Sequence, residues 1–391
     1  MARILVPDYP GQQVIAGIKS LAIKGDTCDL AWNQNIAERL LKSKYVHRSI
    51  KIPAANQDPI GYKEQLIALL KTGSYDMIMP FGNDAFHHAA AIQDEIKNHA
   101  HFLCPKDQDH QIAYDKYLTY LQCQKIDLPT PRTYIISSQN ELTTKSLVIG
   151  FPLIIKSRIG SGVETGLRIV NNPSELESCF NEIQNRNKDG DSGPALLIMQ
   201  EFIPGQIHDA CLVADKGKIQ AILTQVRHWM YPPSGGVGAI NYTTINHDLI
   251  KLAEKLIDSL NWSGPAQVEF KLDERDHQYK LIEINPKLWG TLDLSIQSGV
   301  NFTAIIRDIN LGRKITRPSY EEGNYYFFLF PQTTISFFQR LFWNRSHMKV
   351  PKPLNKKRFW DIDLSDPGPL LIRIGKTLYL LGLNLVRLFK R

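Results

Sequence analysis

Short apolar runs alternate with segments of helical period through the first hundred residues. Residues 2–7 (ARILVP) have the length of a buried strand, and a glycine-bearing turn leads into a helical pattern over 12–21. A second strand is expected at 28–32 (CDLAW), a helix at 61–72, a strand at 76–80 (DMIMP), a helix at 84–98 and a strand at 101–104. Strands that alternate with helices predict a parallel sheet covered on both faces. The first turn, PDYPGQQVIAG, lacks GxGxxG, so a dinucleotide-binding unit is not indicated.

The rhythm changes after Ile112. A helical pattern over 112–125 runs into Leu128-Pro129-Thr130-Pro131, where two prolines end it. Strands follow closely, at 152–156 (PLIIK), 167–170, 196–201, 209–214 and 218–225, then a helix at 247–260 and strands at 264–271 and 279–284. This reads as a mixed α+β arrangement. Residues 325–343 are rich in aromatics, VPKPLNKKR forms a basic linker, and the chain closes on PLLIRIGKTLYLLGLNLVRLFKR. In that last stretch Arg373, Lys376, Thr377, Asn384, Arg387 and Arg391 recur every three or four residues, one polar stripe on an apolar helix. Such a helix must bury its apolar face, against protein or in the headgroup region of a membrane.

With 391 residues the chain exceeds one ordinary core, and two or three domains are expected. Cys28, Cys104, Cys123, Cys179 and Cys211 are scattered without a CxxC pair, which indicates reduced thiols rather than a zinc site or a disulfide framework. No leader and no spanning helix are expected, so the reading is a cytoplasmic protein. The net charge of +7 is uneven: residues 340–391 hold 12 of the 46 Lys/Arg but only 3 of the 39 Asp/Glu. A basic tail suits phospholipid, nucleic acid or an acidic partner, or is a solvated face.

Three constellations carry candidate chemistry. Lys156 ends an apolar strand and Gly160-Ser161-Gly162-Val163-Glu164-Thr165-Gly166 follows, glycines that let backbone N–H groups approach phosphate oxygens. No GK[ST] stands at Walker spacing. Gln200-Glu201-Phe202-Ile203-Pro204-Gly205 ends a second strand, where backbone groups suit an adenine edge and Glu201 a ribose hydroxyl. Glu269 in Val268-Glu269-Phe270, and Glu283 with Asn285 in Ile282-Glu283-Ile284-Asn285-Pro286-Lys287, put acids inside apolar strands. Buried acids are expensive unless paired or bound to a cation, and strand alternation sets Glu283 and Asn285 on one face, a hard-oxygen set for Mg2+.

In this order the motifs resemble the ATP-grasp superfamily, in its carbamoyl-phosphate-synthase-like branch of carboxylate–amine ligases. The resemblance spans roughly residues 1–315 and includes Asp115-Lys116, PLIIK with its glycine loop, QEFIPG, VEF and EINPKLWG. It implies an N-terminal doubly wound parallel α/β domain (1–112) and a two-lobed ATP-binding domain (113–318, lobes about 130–200 and 201–318). A C-terminal extension (319–391) with basic linker and amphipathic helix would follow. It also implies that Lys116 and Lys156 hold ATP phosphates under a lid of Gly160, Ser161, Gly162 and Gly166. Glu201, Phe202 and Ile203 would flank the adenine, with Glu201 or Asp209 on the ribose. Glu269, Glu283 and Asn285 would bind two Mg2+, or Mn2+, and Arg227, ahead of a Pro–Gly–Gly turn, would reach the transferring phosphate. Lys287 stands where the family usually has arginine and lacks its bidentate fork.

The implied reaction is ATP-dependent activation of a carboxylate as an acyl phosphate and its transfer to an amine. Expected partners are small-molecule acid and amine, no nucleic acid, a second copy of the chain, and a membrane face touched peripherally by 369–391. The alternatives are a regulatory ATP-binding protein without turnover and a membrane-surface ligase acting on an envelope glycan or lipid-linked substrate.

Overall fold

The computed structural model describes residues 1–33, 42–159, 166–186, 196–231, 236–343 and 356–389. The first strands are β1 (Arg3–Val6), β2 (Thr27–Trp32), β3 (Arg48–Lys51) and β4 (Met77–Ile78), in the parallel order β3-β2-β1-β4. Alternation along β1 turns Ile4 and Val6 to one apolar face and Leu5 to the other. Both faces are buried, as a parallel sheet requires. Helix α1 (Gln12–Ala22) covers the Ile4 face, and α2 (Pro59–Gly73), α3 (Asn83–Ala90) and α4 (Gln93–Lys97) belong to the other.

Several expected boundaries shift. The helix read over 84–98 is two, α3 and α4, and the strand read at 101–104 is reduced to a bridge between His101 and Met77. The helix read over 112–125 breaks at Asp115 into α5 (Asp107–Tyr114) and α6 (Lys116–Lys125). Asp115 is extended there because its carboxylate accepts from the N–H groups of Tyr117 and Leu118 and from the Arg158 guanidinium at 2.7 Å. Strand β3 was missed: its polar sequence RSIK lies on the sheet edge.

A small antiparallel sheet follows. Its strands are β5 (Thr133–Ile136), β6 (Leu153–Ser157), β7 (Leu167–Val170) and β8 (Leu197–Glu201), ordered β5-β8-β6-β7, and α7 (Gln139–Ile149) and α8 (Pro173–Arg186) pack on it. The third sheet joins β9 (Ile207–Asp215), β10 (Lys218–Tyr231), β11 (Val237–Thr244), β12 (Gly264–Leu272), β13 (Tyr279–Asn285), β14 (Tyr325–Phe327) and β15 (Arg358–Trp360), in the order β13-β12-β9-β10-β11-β14-β15. Strand β10 runs six residues beyond the expected end and so carries Arg227 within the sheet. Helix α9 (His247–Ser259) covers one face through Leu249, Ala253, Leu256 and Ile257.

The other face, with Cys211, Val213, Ala221 and Leu223, shares one continuous core with β1 and α1 through Trp289 and Phe302. Phe302 opens α11 (Phe302–Asn310), which follows α10 (Leu292–Gln297). Arg307 on α11 reaches the Asp26 carboxylate at 2.5 Å, and Thr303 meets Ser20 of α1 at 2.7 Å. The chain ends in α12 (Thr334–Trp343) and α13 (Pro367–Phe389), and no helix among the described residues is long and apolar enough to cross a membrane.

Candidate functional site

Antiparallel register sets four polar side chains in one line across the large sheet. Glu283 on β13 stands opposite Glu269 on β12, Glu269 opposite Asp209 on β9, and Asp209 opposite Gln225 on β10. Three neighbouring carboxylates repel one another unless cations separate them. Arg227, two residues along β10 from Gln225, supplies one: its Nη2 lies 2.7 Å from Asp209 Oδ1, its Nε 3.0 Å from Oδ2, and Nη2 also donates to Glu269. Burial opposes that charge, but Asp209 and Glu269 hold the guanidinium protonated well above its ordinary range.

Asp209 is thereby reassigned. It has no exposed surface, and Gln225 Nε2 donates to the same carboxylate at 2.8 Å. Its carboxylate, expected as a ribose acceptor, is instead engaged by the Gln225 amide and the Arg227 guanidinium, which it anchors. The pairing of Glu269 with Arg227 was also invisible locally, since the partner comes from a strand 42 residues away.

Glu269 and Glu283 remain strained as a pair. Burial pushes the Glu269 carboxyl up to about 7, with Glu283 and Asp209 adding to the rise against Arg227. Burial also disfavours ionised Glu283, yet Lys116 and Lys156 more than offset it and hold its pKa below the usual carboxylate value. Asn285 Nδ2 donates to Glu269 Oε1 at 2.9 Å and to Glu283 Oε1 at 3.1 Å, tying the two together. Lys116, opening α6, has its Nζ 3.9 Å from Glu283 Oε2. Lys156 near the end of β6 is buried, and desolvation brings its pKa from 10.5 down to about 8 despite Glu283 and Glu269. Lys287 is likewise lowered by burial, with Glu269, Glu283 and Asp8 opposing.

The structure thus brings Lys116, Lys156, Arg227, Glu269, Glu283, Asn285 and Lys287 to one place. The adenine candidates sit on the adjoining strand end. Ile203 is buried and its carbonyl accepts from Lys271 Nζ at 2.8 Å, while the Phe202 ring lies 5.1 Å from the same ammonium. Glu201 is engaged by Arg132 Nε at 3.2 Å and Arg275 Nη2 at 2.8 Å, and these keep its pKa low against burial. Gly166 has φ +82°, and a Cβ there would meet Ile183 at 3.0 Å. Gly160, Ser161 and Gly162 lie outside the described residues, as do residues 232–235 of the expected Pro–Gly–Gly turn; Arg227 Nη1 donates to the Gly236 carbonyl beside it at 3.1 Å.

Residues of the first sheet face this site and were not anticipated. In the order β3-β2-β1-β4 the connections diverge between β1 and β4, the crevice where open parallel sheets bind ligands. Asp8, just past β1, accepts from the N–H groups of Tyr9 and Phe81 at 2.8 and 2.9 Å, and from Gly82 before α3. Burial raises its pKa to about 6. Asn83 and Tyr114 line a narrow cleft with Lys116, Glu283 and Asn285. His87 stacks on Tyr114 with centroids 4.0 Å apart, and burial lowers its pKa to about 4. A hollow of about 630 Å³ by Arg3, Arg48 and Lys51 lies at the outer sheet edge and holds none of these groups.

A family model described as "ATP-grasp in the biosynthetic pathway with Ter operon" matches residues 192–325. Among curated proteins the chain is 26% identical over 172 residues to acetyl-CoA carboxylase 1 of Oryza sativa, 42% of this chain but 7% of that protein. It is 23% identical to D-aspartate ligase of Enterococcus faecium over 70% of this chain and 66% of that one. Among solved structures it is similar to biotin carboxylase from Campylobacter jejuni (TM-score 0.68, 16% identity, 81% of this chain and 72% of that one). It is also similar to L-amino acid ligase from Bacillus licheniformis (TM-score 0.62, 15% identity, 82% and 75%).

Proposed function

We propose that this chain, which has the ATP-grasp fold, is a ligase that uses ATP and Mg2+ to convert a substrate carboxylate into an acyl phosphate and passes the acyl group to an amine, releasing ADP and phosphate. The observation that carries the reading is the line Glu283–Glu269–Asp209 with Arg227 and two lysines closing on it. Such a concentration of opposed charge in a buried site suits charge transfer between phosphate and carboxylate.

The donor set fits a divalent ion. Among the described residues no group of three or more His, Cys, Asp or Glu converges to hold a metal alone. Glu269 and Glu283 with Asn285 make a two-carboxylate oxygen set, which suits Mg2+ that draws its other ligands from substrate phosphates. Burial raises the pKa of Glu269 first, and the neighbouring Glu283 and Asp209 carboxylates add to the rise against Arg227, so a cation bound there would favour its ionised form. Bound there, Mg2+ would neutralise phosphate charge.

In this reading Lys116 and Lys156 hold the phosphates, with Gly160, Ser161, Gly162 and Gly166 over them. Phe202 and Ile203 flank the adenine, with Glu201 at its rim. Arg227, fixed by Asp209, stabilises charge on the phosphoryl group in flight, and Lys287 meets the carboxylate as a point charge. The crevice at Asp8, Asn83 and Tyr114 receives the amine. The D-aspartate and L-amino acid ligases among the relatives favour an amino acid as one substrate. The domain division at 112 and 318, a pair of ions, replacement of Mg2+ by Mn2+, a homodimer and a place at the inner face of a membrane complete the proposal.

The test is an ADP-release screen over pairs of amino acids and other carboxylates with amines, products read by mass spectrometry, with Glu283→Gln as control. Turnover that Glu283→Gln abolishes while the variant stays folded supports the reading. Normal ADP release from Glu283→Gln would sink the metal assignment. ATP binding without turnover on any pair would favour a regulatory nucleotide-binding protein.

A further inference from the structure

Helix α13 is built inside out. Arg373 and Thr377 face the protein: Arg373 Nη2 donates to the Asp361 carbonyl, and Thr377 is 2% exposed. The side facing away carries Leu371, Leu378 and Tyr379, exposed by 58, 65 and 66%, at the i, i+7 and i+8 spacing of one helical face. Gly375 and Gly382 fall on the same face, and a Cβ built on either meets nothing within 4 Å. Of the polar stripe read from the sequence, Arg373 and Thr377 are inward contacts and Lys376 is exposed, while Leu371 and Leu378 face solvent. Trp360, Ile362 and Leu364, in the segment leading into the helix, are also exposed.

Charge sorts in the same direction. Between residues 356 and 389 the three acids are engaged by neighbouring groups. Asp361 accepts from the Leu329 N–H at 2.8 Å, Asp363 from Lys19 Nζ at 2.6 Å, and Asp366 from Ser43 Oγ at 2.5 Å. Lys356, Lys357 and Lys376 are exposed. Residues 356–382 thus present apolar and basic groups outward, Lys357 lying 3.6 Å from the exposed Glu321, while Asp361, Asp363 and Asp366 are held by neighbouring groups.

We infer that the outward face of α13, with the 356–364 segment, seats on an anionic lipid bilayer, the helix lying in the headgroup plane. Charge complementarity selects this occupant: exposed bases beside exposed leucines and aromatic rings are the elements that bind acidic headgroups and enter the acyl boundary. A second copy of the chain would bring the same basic groups against one another. The inference is independent of the ligase reading, since none of these residues belongs to the carboxylate site.

The test is co-sedimentation of the full chain with vesicles of phosphatidylcholine, with and without phosphatidylglycerol, at low and high salt. Binding is expected only with phosphatidylglycerol and should weaken with salt. The double variant Leu371→Asp/Leu378→Asp should bind about tenfold less or worse, and Gly375→Leu, which adds an apolar side chain to open space, should bind more tightly. Circular dichroism and binding of a fluorescent ATP analogue should be unchanged in both. Failure of the full chain to sediment with phosphatidylglycerol vesicles at low salt, or binding that ignores both substitutions, overturns the inference. So does a dimer in sedimentation equilibrium that Leu371→Asp/Leu378→Asp dissolves, because protein then covers the face.

Discussion

Replacing Lys156 by methionine should make the ligand-free protein more stable and the nucleotide site useless. A lysine whose pKa burial brings from 10.5 to about 8 holds its ammonium in the folded state at a cost of about 3 kcal/mol at neutral pH. Methionine keeps the volume and removes that cost. Part of the gain is returned, because Lys156 helps keep Glu283 ionised. The net expectation is about 1–2 kcal/mol, or a rise of about 2 °C in thermal midpoint for a chain of this size. The sign in pH follows from the lowered pKa. Below pH 8 the wild type bears the full cost. Between about 8 and 10.5 its folded form is neutral while its unfolded form still binds the proton, so wild-type stability climbs relative to the variant and the gap closes. ATP affinity should fall by about 1.5–3 kcal/mol, roughly tenfold to 150-fold, with the loss of one charge-assisted contact. Thermal unfolding at about pH 7 and pH 9.5, with calorimetric titration of ATP, reads all three. A variant less stable than wild type at neutral pH, or a difference that does not shrink with pH, would refute the burial argument; unchanged ATP affinity would remove Lys156 from the site.

Asp209→Ala leaves the buried Arg227 with Glu269 alone and should cost about 3–5 kcal/mol, a fall of roughly 4–6 °C in thermal midpoint; a neutral result would mean the guanidinium finds water instead. Because Glu269 titrates near 7, the apparent affinity for Mg2+ with ADP should weaken about tenfold for each pH unit below that value, and calorimetry across that range would show a flat profile if Glu269 is not a ligand. Gly205 has φ +128°, and a Cβ there would lie 2.0 Å from the Leu272 carbonyl oxygen, so Gly205→Ala should lower stability by about 2–4 kcal/mol in urea unfolding.

Apolar runs made the central strands readable: β6, β8, β9, β12 and β13 lie where the pattern puts them. Elements with mixed surfaces did not announce themselves. Strand β11 (VGAINYTT) carries Asn and Thr, and α7 (QNELTTKSLVI) has little one-sided apolarity. Helices α10 and α11 escaped because each is short. Of the site, Glu269, Glu283 and Asn285 were legible since acids in apolar strands need a reason. Asp209 was not, because its role depends on which strand lies beside it: the pairing of β9 with β10 decides that it meets Arg227. The placement of Asp8, Asn83 and Tyr114 beside the site rests on sheet order and the docking of distant segments, which a local pattern does not contain.

The bonds from Arg307 to Asp26 and from Thr303 to Ser20, with Phe302 in the core beneath α1, have a consequence for building chimeras. A crossover at residue 112 looks natural in the sequence, yet it would part α1 from α11, which covers it. Recombination with a relative should transplant 1–112 together with 292–311 as one discontinuous cassette. An exchange of 1–112 alone would set a foreign helix against the native α11 and leave the Arg307 guanidinium facing whatever stands at position 26.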